Sequence, residues 1–407
     1  MTTQTQRLLS AALLVGAVAA PAQANDAATL RQMKAQMAQM QAQIEAMERR
    51  LQEQEVQQQK AETQIAKTKE REEKLGDLVQ VYGQANVSVD HRSGDWNGDD
   101  GTAINSNASR IGVKGKLQTS LPDIRLIYQA ELRYETTDYV NGGPGSDSDT
   151  KQVEFREAYA GMEGANWGRL RIGRLATGYK DTGTALDPWT DNAPQARSGG
   201  RQGMSELHSS YFNNAADYQT PKFFGGLSGN AWYSTQFDDS NKPMHNTGTL
   251  RNYIAGQAGG LGAKYDNGTI FLGADWLDIN AERIDRTGLE NGSAWQVAGR
   301  YKFGPFNGQQ TLSVSALYED ANELGLGRNV YTNLIYGVDR FRFIGAYGQN
   351  RDGAVYGEKD WDNWSIGMKY ALNKRSELLA AWNQRMDNTD DKDFNTLTVG
   401  LKAKFGY

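Results

Sequence analysis

The sequence has no cysteine and only three histidines and eight prolines among its 407 residues. Without cysteine, disulfide frameworks, thiolate catalysis and cysteine-ligated zinc are excluded. The histidines, His91, His208 and His245, are not spaced as a pair of metal ligands, and no serine lies in a recognisable motif with a histidine and a carboxylate. We therefore expect no metal, no cofactor and no enzymatic activity.

Long apolar runs are also absent, apart from one near the N-terminus. That run, Leu8–Ala20, follows Arg7 and precedes a small-x-small sequence at 21–24. It predicts a secretory signal peptide over residues 1–24, since a transmembrane helix needs about 20 apolar residues. The remaining polarity excludes a helical membrane protein but not a membrane β-barrel, whose strands are apolar on one face only. The net charge of −5 argues against a nucleic-acid partner.

Residues 27–75 contain neither proline nor glycine and are rich in Gln, Ala, Glu, Lys and Arg. A heptad register predicts a coiled coil that weakens in its second half, with Leu30, Met37, Ile44, Leu51, Gln58, Ile65 and Glu72 at a and Met33, Met40, Met47, Gln54, Ala61, Thr68 and Leu75 at d. A helical or partly disordered spacer is the alternative. We expect Gly76 to end this stalk, which occupies residues 25–76.

After the stalk, the hydrophobic period changes to two. VQVYGQANVSVD (79–90) and IRLIYQAELRY (124–134) each place apolar residues on one face and mainly polar residues on the other. About 16 such runs follow one another in residues 77–407. The connections after odd-numbered runs are mostly long and rich in Gly, Asp, Asn and Ser, beginning with residues 91–108, while those after even-numbered runs are short. This predicts an all-β transmembrane barrel of 16 antiparallel strands in an outer membrane.

The C-terminal sequence TLTVGLKAKFGY (396–407) alternates to its last residue. If the last strand pairs with the first to close the barrel, its end is hydrogen-bonded. Tyr407 is then expected at the membrane boundary as an aromatic girdle residue.

Several short segments in residues 78–407 resemble the general porins of Gram-negative outer membranes. They are VYGQ, SRIGVKG (109–115), FREAYAGMEG with WGRLRIGR (155–174), NAADYQTP (214–221) and the aromatic C-terminal strand. The resemblance implies a homotrimer of barrels in contact with outer-membrane lipid and lipopolysaccharide. It also implies a third loop that folds into each pore.

Residues 176–206 are the candidate for that loop, because they form the longest segment without alternation. The resemblance implies that the loop's acidic residues Asp181, Asp187 and Asp191 face a basic wall. Arg110 and Arg156 match that wall in the family, and parity places Lys114, Arg125, Arg133 and Arg171 on the same polar face. Such an arrangement would create a transverse field in a narrow pore. Ordinary solvated charges in a wide lumen are the alternative.

Two positions depart from the family pattern. Gln84 and Asp217 stand where related chains commonly carry basic residues, and the loop lacks the usual Pro-Glu-Phe-Gly-Gly tip. The ion preference therefore does not follow from the resemblance.

The strands around residues 157 and 174 carry an unexpected pair of charges. A turn centred at residues 165–166 would pair Glu157 with Arg174 on the outward face. A charge facing lipid costs about 2–4 kcal/mol at the bilayer midplane. We therefore expect both residues in a subunit interface.

Together these features predict a porin for passive diffusion of ions and small hydrophilic solutes, located in a Gram-negative outer membrane. The stalk is expected in the periplasm, where the cell wall is a candidate partner. A substrate-selective channel and a mainly structural tether between outer membrane and cell wall are the alternatives.

Overall fold

The computed structural model describes residues 26–94, 100–136, 153–197, 202–236, 253–306, 310–354, 360–388 and 392–406. The signal peptide predicted over residues 1–24 lies outside the described residues. The chain divides into two compact units, residues 1–73 and 74–407.

The described part of the first unit is one long helix, α1, which spans Asp26–Leu78 and so continues past the boundary at residue 73. The helix continues through Gly76, so the predicted end at that residue is two residues too early; a single glycine costs a helix only about 1 kcal/mol. The apolar side chains at the first heptad positions are exposed: Leu30, Met33, Met37, Met40, Ile44, Met47 and Leu51. Among the described residues, no helix is long and apolar enough to cross a membrane.

The second unit is an antiparallel sheet closed on itself, together with a two-stranded ribbon. Its strands are β1 (Gln80–Gly94), β2 (Gly101–Ser106), β3 (Arg110–Gln118), β4 (Arg125–Tyr134), β5 (Val153–Gly164), β6 (Gly168–Leu175), β7 (Phe212–Gln219), β8 (Leu227–Ser234), β9 (Tyr253–Ile254), β10 (Gln257–Asp266), β11 (Ile270–Asn280), β12 (Arg283–Ile284), β13 (Gly292–Phe306), β14 (Gln310–Asp320), β15 (Arg328–Val338), β16 (Phe341–Arg351), β17 (Trp361–Ala371), β18 (Ser376–Asp387) and β19 (Lys392–Phe405). The ribbon is formed by β9 and β12.

The sheet has 17 strand segments, but β2 and β3 pair one after the other with β1 and form a single barrel strand. The barrel therefore has 16 strands, as predicted. β1 pairs with β19 along residues 83–94, which closes the sheet. The closure is confirmed through Phe405, while Tyr407 itself lies outside the described residues.

The first predicted long connection, residues 91–108, is wrong. Most of it is strand: β1 extends to Gly94, and β2 begins at Gly101. A break at residues 107–109, where Ala108 has a φ of 54°, separates β2 from β3. The glycines and asparagines of this segment suggested a loop, but residues 101–106 pair in register with residues 87–92.

The barrel is polar inside and apolar outside. On β1, Gln84, Asn86 and Ser88 are buried against the interior, whereas Val81 and Val89 are about half exposed on the outer face. This distribution suits a barrel that has lipid around it and water within it. The other connections follow the predicted alternation, with long ones after β4, β6 and β8 and short ones after β3, β5 and β10.

The register of β5 and β6 differs from the prediction by one residue. Arg174 pairs with Ala158, not with Glu157, and Gly161 pairs with Arg171. The turn between the two strands has three residues, 165–167, and is not centred at 165–166, so every β5–β6 pair moves by one position. Two irregularities lie further along these strands: the β4–β5 register shifts between Ala130 and Leu132, and the β6–β7 register shifts between Gly173 and Leu175. A bulge adds a residue to one strand and changes which face the following side chains occupy.

Candidate pore constriction

The segment between β6 and β7 begins with a short helix that packs against the inner face of the barrel. This helix, α2, spans Gly178–Leu186. Four inward side chains of the wall bind it: Lys264 Nζ donates to Gly178 O (2.9 Å), Gln296 Nε2 to Tyr179 O (2.7 Å), Asp275 Oδ2 accepts from Thr182 Oγ1 (2.5 Å), and Glu319 Oε1 accepts from Tyr179 Oη (2.8 Å). The third loop therefore lies inside the barrel.

Past α2, the loop crosses to the opposite wall. Trp189 is fully buried and donates from Nε1 to Ser365 Oγ at 3.1 Å. Asn86 on β1 then donates from Nδ2 to the carbonyl oxygen of Asp191 at 3.0 Å. Contacts on both sides of the lumen hold the loop as a fixed obstruction.

A chain of ion pairs joins the loop to β3, β4 and β5. Asp191 contacts Arg197 at 2.7 Å and Arg110 at 3.0 Å, Arg110 reaches Glu131 at 3.5 Å, and Glu131 contacts Arg156 at 2.6 Å. Burial would raise the pKa of Asp191, but Arg197 and Arg110 outweigh burial and hold the pKa well below its usual range. Asp191 is therefore an anion held against a basic wall.

The three predicted loop carboxylates do not act together. Asp181 is exposed in the first turn of α2. Asp187 is buried and accepts hydrogen bonds from the backbone nitrogens of Trp189 (2.9 Å) and Ala196 (3.0 Å), and burial raises its pKa to about 6. Asp187 thus shapes the loop, and Asp191 joins it to the wall.

Three cations surround the ring of Tyr211, where the loop returns to the barrel. Lys180 Nζ lies 3.3 Å from the ring centroid, and the guanidinium carbons of Arg174 and Arg156 lie 5.2 and 5.4 Å from it. Burial, with help from Arg197 and Arg156, lowers the pKa of Lys180. We call Tyr211 with these three cations the Tyr211 cluster.

A second ionic group lies at the base of the loop. Arg171 contacts Asp217 at 2.8 Å and Glu157 at 3.4 Å, and Glu157 also accepts from Gln129 Nε2 (2.9 Å) and from the backbone nitrogen of Ala176 (3.2 Å). Asp217, which departs from the family pattern, therefore neutralises a wall arginine.

The predicted interface role of Glu157 and Arg174 is wrong. Glu157 belongs to the interior group just described. Arg174 donates to the carbonyl oxygen of Phe155 (3.1 Å) and to Asn213 Oδ1 (2.7 Å) and lies over Tyr211. The one-residue register difference puts Glu157 on the same inner face as Arg171, and Arg174 lies at the β6–β7 register shift, next to Gly173 with its φ of 146°.

The other predicted wall residues lie on the inner face, each with a partner on the wall. Lys114 lies 4.8 Å from the centroid of the Tyr82 ring, Arg125 contacts Glu163 at 3.0 Å, and Arg133 contacts Glu135 at 2.6 Å. Gln84 donates to Ala108 O at 3.3 Å. Arg110 is the predicted wall residue, among those described, for which the structure gives an ion pair with a loop carboxylate.

Sequence reasoning missed several residues of this site. Glu131 shares the inward parity of Arg133, and Lys180 and Arg197 stand in the candidate loop, where only acidic residues were considered. His208 and Glu319 are both fully buried, with His208 Nε2 at 3.3 Å from Glu319 Oε1. Within the described part of the chain, no group of three or more histidine or acidic residues is placed to hold a metal ion.

Comparisons with known proteins agree with this architecture. Major outer membrane protein P.IB of Neisseria meningitidis is 26% identical over 345 residues, which cover 80% of this chain and 94% of that protein. The structure resembles an anion-selective porin from Comamonas acidovorans (TM-score 0.56, 15% identity, 80% of this chain and 99% of that one). It also resembles the trimer form of OmpT, an outer membrane protein of Vibrio cholerae (TM-score 0.53, 14% identity, 80% and 99%).

The sequence model of the Gram-negative porins matches residues 10–392, nearly the whole chain. The chain belongs to the Gram-negative porin family.

Proposed function

We propose that the protein is a water-filled channel for passive diffusion of ions and small hydrophilic solutes across the outer membrane, without catalytic activity. The observation that supports this function best is the loop held across the interior of a closed barrel by contacts on both walls. A fixed obstruction limits solute size without closing the pore. The charged groups beside it favour polar solutes over apolar ones.

Within the channel, we assign the constriction to the ion-pair chain and the Tyr211 cluster. Arg110 and Asp191 are in contact, so their two charges do not face each other across open water. The field that a solute meets arises instead from the partly exposed cations of the wall and from the exposed carboxylate of Asp181.

Planar-bilayer recording of the purified protein tests the function. We expect ohmic current steps, and a reversal potential in a salt gradient that moves towards cation preference when Arg156 is replaced by Gln. Absence of conductance from correctly folded protein would reject the channel. An unchanged reversal potential in Arg156→Gln would remove that residue from the constriction.

We further propose that three barrels assemble as a homotrimer, the assembly in which OmpT of Vibrio cholerae occurs in its trimer form. The strands at the closure carry small outward residues, including Gly83, Ala85 and Gly115. Side chains of the same barrel already cover two of these glycines: Phe405 lies over Gly83, and Tyr128 over Gly115. With small residues at these outward positions, few side chains project from the barrel surface there. Neighbouring barrels could therefore approach closely. Native mass spectrometry of the intact protein measures the number of chains.

The stalk is proposed as the coiled coil of such a trimer, extending into the periplasm towards the cell wall. Its apolar heptad side chains are more than half exposed in a single chain, which is unfavourable in water. Because the chain has no cysteine, Met40→Cys at position d should form cross-links between chains, whereas Ala42→Cys at the outer position f should not. Equal cross-linking at both positions would reject the coiled-coil register.

A substrate-selective channel is a second candidate, and the Tyr211 cluster is the observation that favours it. The guanidinium groups of Arg156 and Arg174 beside the ring, with the amine of Lys180, could bind an anionic group of a solute. Current block by added carboxylate or phosphate solutes, lost in Tyr211→Leu, would favour this function over unselective diffusion.

A further inference from the structure

The outer face of the barrel carries a groove of about 770 Å³ on strands β14 to β18. Its residues come from two adjacent rows of cross-strand neighbours. One row contains Ala316, Thr332, Tyr347 and Trp364, and the other contains Val314, Leu334, Gly345, Ile366 and Trp382. The small residues Gly345, Ala316 and Thr332, with large apolar residues around them, make the depression.

Gly345 forms the floor of this groove. A Cβ built on Gly345 would meet no atom within 4 Å, so the space above this residue is open. The side chains around it are strongly exposed, at 47% for Leu334, 51% for Trp364 and 64% for Ile366. The groove therefore presents apolar surface that needs an apolar occupant.

One end of the groove is closed by hydrogen bonds near the outer end of the strands. The ring of Tyr347 packs against Trp364 with 4.6 Å between centroids, and its hydroxyl donates to Asp362 Oδ1 at 2.6 Å. Arg351 contacts the same carboxylate at 2.9 Å. The aromatic wall is thereby held in place, and the groove passes from an apolar middle to a polar end.

We propose that this groove binds one acyl chain of a lipid in the outer leaflet. The groove is continuous with the apolar outer surface, because Phe343 and Met368 extend that surface towards the other end of the strands. Its polar end lies on the side of the long connections, where a lipid headgroup would lie. This inference depends on the outer-membrane placement proposed above.

A neighbouring copy of the chain fits the groove less well. The small outward residues that suit a barrel–barrel contact lie on β1 and β3, whereas the groove is on β14 to β18. A depression lined by Tyr347, Trp364 and Trp382 suits a flexible hydrocarbon chain better than the broad surface of another barrel.

Binding of dipalmitoyl phosphatidylethanolamine to the delipidated full-length protein, followed by native mass spectrometry, tests the proposal. We expect one lipid per barrel to bind more tightly than the rest, and Gly345→Leu to weaken this binding about tenfold or more. Gly229→Leu is the matched control. Gly229 is an outward strand glycine on β8, away from the groove, where an added Cβ would meet only ordinary contacts.

Trp382→Ala should also weaken binding, and it provides a second test if Gly345→Leu does not fold. Equal lipid binding by wild type, Gly345→Leu and Trp382→Ala would overturn the proposal. Binding of the soluble headgroup glycerophosphoethanolamine to the same site would overturn it as well, and so would a change in the number of chains per particle in Gly345→Leu. Conductance recorded on the same samples separates these failures from a failure of the channel itself.

Discussion

Asp191→Ala tests whether the ion-pair chain holds the third loop in place. The carboxylate of Asp191 is 6% exposed and contacts two arginines, at 2.7 and 3.0 Å. Removing one partner of a buried ion pair costs about 3–5 kcal/mol, because the remaining charges stay buried without compensation. Each 1.4 kcal/mol changes an equilibrium about tenfold, so the detached loop should become on the order of 10²–10³ times more populated.

Single-channel recording is the assay for this change. A loop that leaves the wall should give brief openings to a higher conductance in Asp191→Ala. Asp181→Ala is the control, since it removes an exposed carboxylate from the same loop. Because the pKa of Asp191 lies below its usual range, its contribution is present at neutral pH and is lost only as the pH falls through that lowered value. The wild type should therefore show steady conductance at pH 5. If Asp191→Ala and Asp181→Ala give the same current records, the ion-pair chain does not hold the loop.

Two further predictions concern the interior of the loop. Trp189→Ala should destabilise the loop by about 3–5 kcal/mol, as for other buried tryptophans, whereas Trp189→Phe should lose less stability. Thermal unfolding and current noise measure the difference. Equal unfolding temperatures and noise in the two variants would contradict the packing role. Asp187 has a pKa raised to about 6, above the ordinary value near 3.9, so the folded protein binds more protons than the unfolded chain between these values. Its contribution to the free energy of unfolding should therefore fall as the pH rises from 4 to 6. The unfolding temperature of the wild type should fall relative to that of Asp187→Asn over this range, and a constant difference between the two proteins would contradict the prediction.

Parity along single strands was sufficient for the barrel but not for its irregular positions. The alternation in residues 79–90 correctly separated the inner Gln84 from the outer Val81, because successive side chains of a strand point to opposite faces. The same rule failed at Glu157 and Arg174. The three-residue turn at 165–167 moves the β5–β6 pairing by one position, and the β6–β7 register shifts beside Arg174; no feature of the local sequence marks either irregularity.

The loop shows a similar limit. Its length and lack of alternation made residues 176–206 the candidate pore loop, and resemblance suggested that it folds inward, which the contacts of α2 with the inner wall confirm. The sequence could not show that Asp187 binds backbone nitrogens of its own loop while Asp191 reaches Arg110, since both are aspartates in the same polar stretch. Their difference depends on which wall each part of the loop contacts.

By itself, the sequence determined the helical stalk segment, the number of barrel strands, the two faces of the barrel and the pairing of its last strand with its first. These follow from hydrophobic periods of seven and two, which are local properties of the chain. The tertiary structure alone decided the ion-pair partners, the Tyr211 cluster and the outer groove around Gly345. Each of these brings together residues far apart in the chain, and their distances depend on the register of every strand between them.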